Sequence, residues 1–239
     1  MQPKFSYDAQ SLHKRGRGRA GELPRRLGVS SQDLKDKKIL EIGCGFGETT
    51  YYTRKLFDSN CIGIDPYPRW LNGPFKEENY YIESNILTYN PEIHFDYVMS
   101  FTVWEHIDKP REALEKTFGL LRPGGTAYLN YNLYRGASAS HLLKYLDIPW
   151  MHLLYTDEEI ANMVFSKHGF KKYPAWVNKL TYAHYLHYFD VIGFEVIKVW
   201  YSKQQVDINF LEQNKEKLSP YPIEDLERNF MNVVIRRPK

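Results

Sequence analysis

The sequence predicts an α/β protein built on a doubly wound, mostly parallel sheet of seven strands, and two features carry that prediction. The first is Lys38-Ile39-Leu40-Glu41-Ile42-Gly43-Cys44-Gly45-Phe46-Gly47-Glu48, a short apolar run, then spaced glycines, then the start of a helix. Such a run suits a central parallel strand covered on both faces. The glycines let the backbone turn sharply and leave no side chains between it and a ligand. The second feature is the alternation of apolar runs with helical stretches from Lys38 to Asn130, with two more strand-like runs closer to the C-terminus.

The first helix is expected over residues 48–57, followed by strands over 61–65, 80–86 and 95–100. Pro110 suits a first helical turn, so a helix is expected from there to about residue 118. Leu121-Arg122-Pro123-Gly124-Gly125-Thr126 turns into the fifth strand. Residues 131–179 are too many for a simple connection and read as an insertion. Within it Thr156-Asp157-Glu158-Glu159 is a capping box for a helix that Gly169 ends after His168. A last core helix over 180–192, a strand over 193–199, a polar linker through Pro220 and a strand over 232–235 complete the pattern. The domain reading is a basic N-terminal arm over 1–37 and a main domain over 38–239. The insertion would lie above the carboxyl ends of the strands, where ligands bind in such sheets, and so act as a substrate lid.

A dinucleotide fingerprint runs G-x-G-x-x-G. Here the third glycine comes one residue early, and the acid Glu41 stands two residues before the first. An acid there suits a cationic amino-acid end better than a pyrophosphate. The arrangement resembles motif I of the class I S-adenosylmethionine-dependent methyltransferases of small-molecule type. Four later stretches continue the resemblance: Cys61-Ile62-Gly63-Ile64-Asp65, Tyr80 to Ile86, Phe95 to Ser100 followed by Trp104-Glu105-His106-Ile107, and Leu121 to Thr126. It implies a Rossmann-like methyltransferase fold whose seventh strand is antiparallel, with S-adenosyl-L-methionine as cofactor and S-adenosyl-L-homocysteine as product. Glu41, Gly43, Cys44, Gly45 and Gly47 would take the methionyl part. Asp65 would accept both ribose hydroxyls. Ile64, Pro66, Asn85 and Ile86 would surround the adenine, and Ser100 and Phe101 would approach the methionyl chain.

Methyl transfer to a hydroxyl gains from a base, and histidine is the usual one near neutral pH. His106 and His152 are the candidate catalytic residues. Trp104, Tyr131, Tyr134, His141, Trp150, Tyr155 and His184 are candidates to contact the acceptor. Enzymes that methylate exocyclic amines of bases carry an Asn or Asp before Pro-Pro-aromatic after the fourth strand, and this chain has Ser100-Phe101-Thr102-Val103. Some quinone-pathway O-methyltransferases bind a metal through two acids and a histidine here. Thr102 replaces the first acid, so no metal is expected although Glu105 and His106 remain.

With 239 residues and a formal charge of +3, the balance is too even to imply nucleic-acid binding by itself. Lys14, Arg15, Arg17, Arg19, Arg25 and Arg26 concentrate in the arm, either as a solvated segment or as one that closes over the cofactor. No stretch reads as a signal peptide or a membrane span, so a cytoplasmic protein is expected. Cys44 and Cys61 read as small core residues rather than a disulfide or metal pair. The overall expectation is methyl transfer to a polar, anionic-leaning small molecule, at oxygen rather than nitrogen, such as a sugar, glycan precursor or specialised metabolite. RNA or protein methylation, or non-catalytic cofactor binding, is the alternative.

Overall fold

The computed structural model describes residues 8–76 and 78–239. Its strands are β1 (Lys38–Ile42), β2 (Asn60–Asp65), β3 (Tyr81–Glu83), β4 (Phe95–Phe101), β5 (Leu121–Asn132), β6 (Glu195–Lys203) and β7 (Arg228–Arg236). They form one sheet in the order β3-β2-β1-β4-β5-β7-β6. β1 to β5 pair in parallel, while β7 inserts antiparallel between β5 and β6. Alternation along the strands sorts the core. Leu40, Ile42, Val98 and Leu129 face one side, and Ile39, Cys61, Met99 and Tyr128 face the other. Helices α4 (Pro110–Leu120) and α8 (Tyr182–Ile192) cover the first face; α2 (Leu23–Leu27) and α3 (Glu48–Phe57) cover the second.

Residues 9–21 and 23–27 are helical. Helix α1 (Ala9–Gly21) opens at Asp8, whose side chain accepts from Ser11 N at 2.7 Å. Its buried residues Leu12, Gly16 and Ala20 recur every four positions and turn one stripe inward. A Cβ on Gly16 would sit 2.4 Å from the Glu48 carbonyl oxygen, so only glycine lets α1 lie this close to α3. The same packing fixes where Arg15 and Arg19 point.

The third strand ends at Glu83, three residues short of expectation. Asn85 Oδ1 accepts from Leu87 N at 2.9 Å and Thr88 N at 3.1 Å, and that turn bends the chain out of the sheet. The sixth strand starts later and runs to Lys203, because Gly193 closes α8 in a left-handed conformation with φ 93°. The expected polar linker holds α9 (Ile208–Gln213) and α10 (Lys215–Leu218), with α11 (Ile223–Glu227) after it. Asp207 caps α9, and Leu218 and Leu226 pack on Trp150 and Leu154. Between β5 and α8 lie α5 (Leu143–Leu146), α6 (Met151–Leu154) and α7 (Asp157–His168). The capping box of α7 is formed, with Thr156 N donating to Glu159 Oε2 at 2.7 Å. Among the described residues no helix is long and apolar enough to cross a membrane.

The Gly16 contact makes a prediction. Gly16→Ala should lower stability by about 1–3 kcal/mol, as overpacking does, and speed amide exchange along α1, read by denaturant unfolding and hydrogen exchange. An unchanged midpoint with unchanged α1 protection would contradict the packing described.

Candidate active site

The parallel register of β1 and β2 sets Ile42 beside Ile64, which brings the glycine turn to Asp65. Gly43 N and Cys44 N both donate to Ile64 O, at 2.8 and 3.0 Å. Gly45 N donates to Asp65 Oδ2 and Tyr67 N to Asp65 Oδ1, each at 2.9 Å. Each Asp65 oxygen thus keeps lone-pair capacity for a ligand hydroxyl. Gly43 has φ 76°, and a Cβ there would lie 2.2 Å from Val103 Cγ2. A bare backbone is therefore required where the β4 loop passes under the turn.

This turn forms one wall of a cavity of about 850 Å³. Of the candidates from sequence, Gly43, Cys44, Gly45, Asp65, Pro66, Asn85, Ile86, Phe101 and His106 line it. Glu41, Gly47 and Ser100 lie beneath the lining. Glu41 is 2% exposed and accepts from Thr50 Oγ1 at 2.5 Å. Ser100 Oγ donates to Ile42 O at 2.9 Å, and Gly47 O accepts from Tyr81 Oη at 2.9 Å. Asn85 Oδ1 is spent on Leu87 N and Thr88 N, so only its amide N–H groups remain for a ligand.

The opposite wall comes from α1. Arg15 Nε donates to Glu48 Oε1 at 2.6 Å. Arg19 lies 5.0 Å from the centre of the Phe101 ring and makes no ion pair among the described residues. Burial pulls its pKa down, partly offset by Glu41. A mostly buried guanidinium facing the cavity is a ready partner for a carboxylate. Both arginines stood out in the sequence only as charge. Their four-residue separation on the face beside Leu12, Gly16 and Ala20 was the signal that they enter the site.

The far end is built by a clip. Loop residue Asn178 donates from Nδ2 to Trp104 O at 2.7 Å and to Ile107 O at 3.2 Å, and from its backbone N to Glu105 O at 2.9 Å. His106 Nδ1 lies 2.9 Å from Trp176 O. A carbonyl only accepts, so Nδ1 carries the proton and the neutral ring keeps its lone pair on Nε2. Thr102, Val103, His106, Lys109 and the exposed Trp176 line this end. Trp176 gave no recognisable signal in the sequence, because only the clip brings it there.

The other acceptor candidates lie outside the cavity lining. Trp104, Tyr131 and Trp150 are buried core residues, with Tyr131 packed on Tyr185 and Trp150 Nε1 donating to Leu226 O at 3.2 Å. Tyr155 packs in the insertion's own apolar cluster. His184 caps α8, its Nδ1 accepting from Thr181 Oγ1 at 2.8 Å. His152 Nε2 donates to Tyr134 O at 2.6 Å, and Tyr134 stacks edge-on to that ring. Burial brings the His152 pKa down to about 4. His141 stands just behind His106, ring centres 4.9 Å apart; burial, with like-charge repulsion from the His106 and His152 rings opposing protonation, brings its pKa down to about 4. Glu105, His106 and His141 offer ligand atoms that all lie within 4.8 Å of one another. The expectation of no metal set weighed the β4 loop alone, whereas His141 arrives from the insertion.

A methyltransferase domain model matches residues 12–199, most of the chain. The chain belongs to the methyltransferase domain family. Its sheet and flanking helices have the class I methyltransferase fold. It is 27% identical over 114 residues to a mitochondrial ubiquinone biosynthesis O-methyltransferase of Dictyostelium discoideum, covering 41% of this chain and 36% of that protein. It is 33% identical over 116 residues to a tRNA U34 carboxymethyltransferase of Saccharophagus degradans, covering 43% and 34% respectively. The chain thus spans about a third of the length of the curated relatives it matches. In fold, it matches an S-adenosylmethionine-dependent methyltransferase from Archaeoglobus fulgidus with TM-score 0.57 at 14% identity, covering 97% of each chain.

The buried acid under the turn gives this methyltransferase a pH signature. Burial raises Glu41 from 4.5 to about 8 and Glu105 from 4.5 to about 7. The folded state then holds protons that the unfolded state has released, so stability falls as pH rises through those windows. Glu41→Gln should abolish the part of the fall between pH 7 and 8, measured by urea unfolding across pH. A slope unchanged in the variant would contradict a protonated Glu41.

Proposed function

We propose that the enzyme transfers the methyl group of S-adenosylmethionine to a hydroxyl of a polar small molecule. One observation carries this reading: a single cavity runs from the Gly43–Gly45 turn and Asp65 to the lone pair of His106. In this reading the turn and Arg19 hold the methionyl end, Arg19 meeting its carboxylate. Asp65 takes the ribose hydroxyls, and Pro66, Ile86 and the Asn85 amide surround the adenine. The methyl then points toward Thr102 and His106. In-line displacement needs the acceptor oxygen aligned, and the walls around Thr102 and His106 would supply that alignment. Lys109 at the mouth suits an anionic group on the acceptor.

An RNA acceptor is the second reading. The likeness to tRNA U34 carboxymethyltransferases favours it, as do the arginines of α1. Transfer of labelled methyl from S-adenosylmethionine to a panel of small hydroxyl compounds, run beside transfer RNA at increasing salt, separates the two. The small-molecule reading expects product that is insensitive to salt and a turnover about 100-fold lower in His106→Gln. Product found only on RNA and lost steeply with salt would replace it.

A further inference from the structure

Three potential metal ligands, Glu105, His106 and His141, converge at the acceptor end. Glu105 is 2% exposed, and its Oε1 accepts only a long 3.4 Å bond from Asn132 N. Its Oε2 is buried with no hydrogen-bond partner at all. A carboxylate oxygen left bare in the interior is costly, so a partner outside the chain is the natural reason for its retention. His106 donates Nδ1–H to Trp176 O, which leaves Nε2 as its free lone pair. An outer hydrogen bond from the second ring nitrogen to a carbonyl is how proteins orient a metal-binding imidazole. His141 supplies the third donor from the insertion, its Nε2 3.5 Å from Asn132 Nδ2, and one ligand atom from each of the three lies within 4.8 Å of the others.

We propose that Glu105, His106 and His141 bind one divalent transition-metal ion, of the zinc type, at the acceptor end of the cavity. Two imidazoles with one carboxylate is a donor set that takes zinc while leaving a coordination position open. An ion about 2.1 Å from each donor needs them about 3–4 Å apart, which small side-chain rotations reach from the present spacing. Oxygen-only cations such as magnesium suit this set poorly. What the ion does rests on the methyl-transfer reading above; that it binds does not. Of the three ligands His106 lines the cavity, so an acceptor would reach the open position from that side. An acceptor hydroxyl that coordinates there loses its proton to water more readily, because the cation lowers its pKa. The resulting oxygen forms the O–CH3 bond as the S–CH3 bond breaks. The electron pair of that bond stays on sulfur, and S-adenosylhomocysteine leaves as a neutral thioether. His106 then acts as a ligand, and the ion takes over the activation of the acceptor.

The test is a cobalt(II) titration of the metal-free full chain, followed by calorimetry and visible absorption, with zinc as competitor. The site expects one cobalt per chain with the absorption of a low-coordinate nitrogen and oxygen set, displaced by zinc. Affinity should fall on the order of 100-fold in His141→Ala and in His106→Gln. His106 is exposed, so that second variant keeps the experiment decisive if the first fails to fold. S-adenosylhomocysteine affinity should be unchanged in His141→Ala, whose residue lies outside the cavity lining. A native chain that binds S-adenosylhomocysteine yet takes up no saturable cobalt would overturn the proposal. So would cobalt binding undiminished in His106→Gln. Cobalt binding without any S-adenosylhomocysteine binding would uphold the metal site and count against the methyl-transfer reading instead.

Discussion

The contact on which the rest of the molecule depends is the pair of hydrogen bonds from Gly45 N and Tyr67 N to the Asp65 carboxylate. It ties the end of β1 to the end of β2 and holds the glycine turn open toward solvent. The parallel register makes this possible, since Ile42 and Ile64 end their strands side by side. Everything that lines the cavity is placed relative to that tie. Val103 seats under Gly43, α3 starts at Gly47, and α1 lies on α3 through Gly16. An acid that accepts backbone bonds while keeping lone pairs free can serve the fold and a ligand together.

The site is assembled from two kinds of segment. The half proposed for the cofactor belongs to the sheet and its first turn, where short hydrogen bonds hold the Gly45 backbone, Asp65 and Glu41. The acceptor half is held by a long-range clip, in which Asn178 reaches Trp104, Glu105 and Ile107 and the Trp176 carbonyl orients His106. In the proposed reading the insertion shapes the acceptor end through Trp176 and Asn178. A fold shared by many methyltransferases can in this way change acceptor by changing one segment.

Much of the architecture was legible in the sequence, and the reason is local. Strand, glycine turn and helix over Lys38–Ile42 and Glu48–Phe57 are written in apolar runs and glycine spacing, and the Thr156 capping box announces α7. Side-chain roles that depend on tertiary placement were not legible in the same way. Trp104, Tyr131 and Trp150 have the composition of a pocket wall, but core and wall differ only in which side the neighbours stand. Asn85 reads as a polar ligand contact until its carbonyl is seen to be spent on the backbone. His141 meets Glu105 and His106 only because the insertion folds back over β5.

The central claim is that the Asp65-tied turn holds S-adenosylmethionine, and calorimetry with S-adenosylmethionine and S-adenosylhomocysteine tests it most directly. The native chain is expected to bind both with micromolar affinity, about 8 kcal/mol at 1 μM. Asp65→Asn, checked for native unfolding behaviour, is expected to lose at least tenfold, because its amide replaces one of the two acceptor oxygens. Binding of equal strength in a folded Asp65→Asn variant, or none by the folded native chain, would contradict the account.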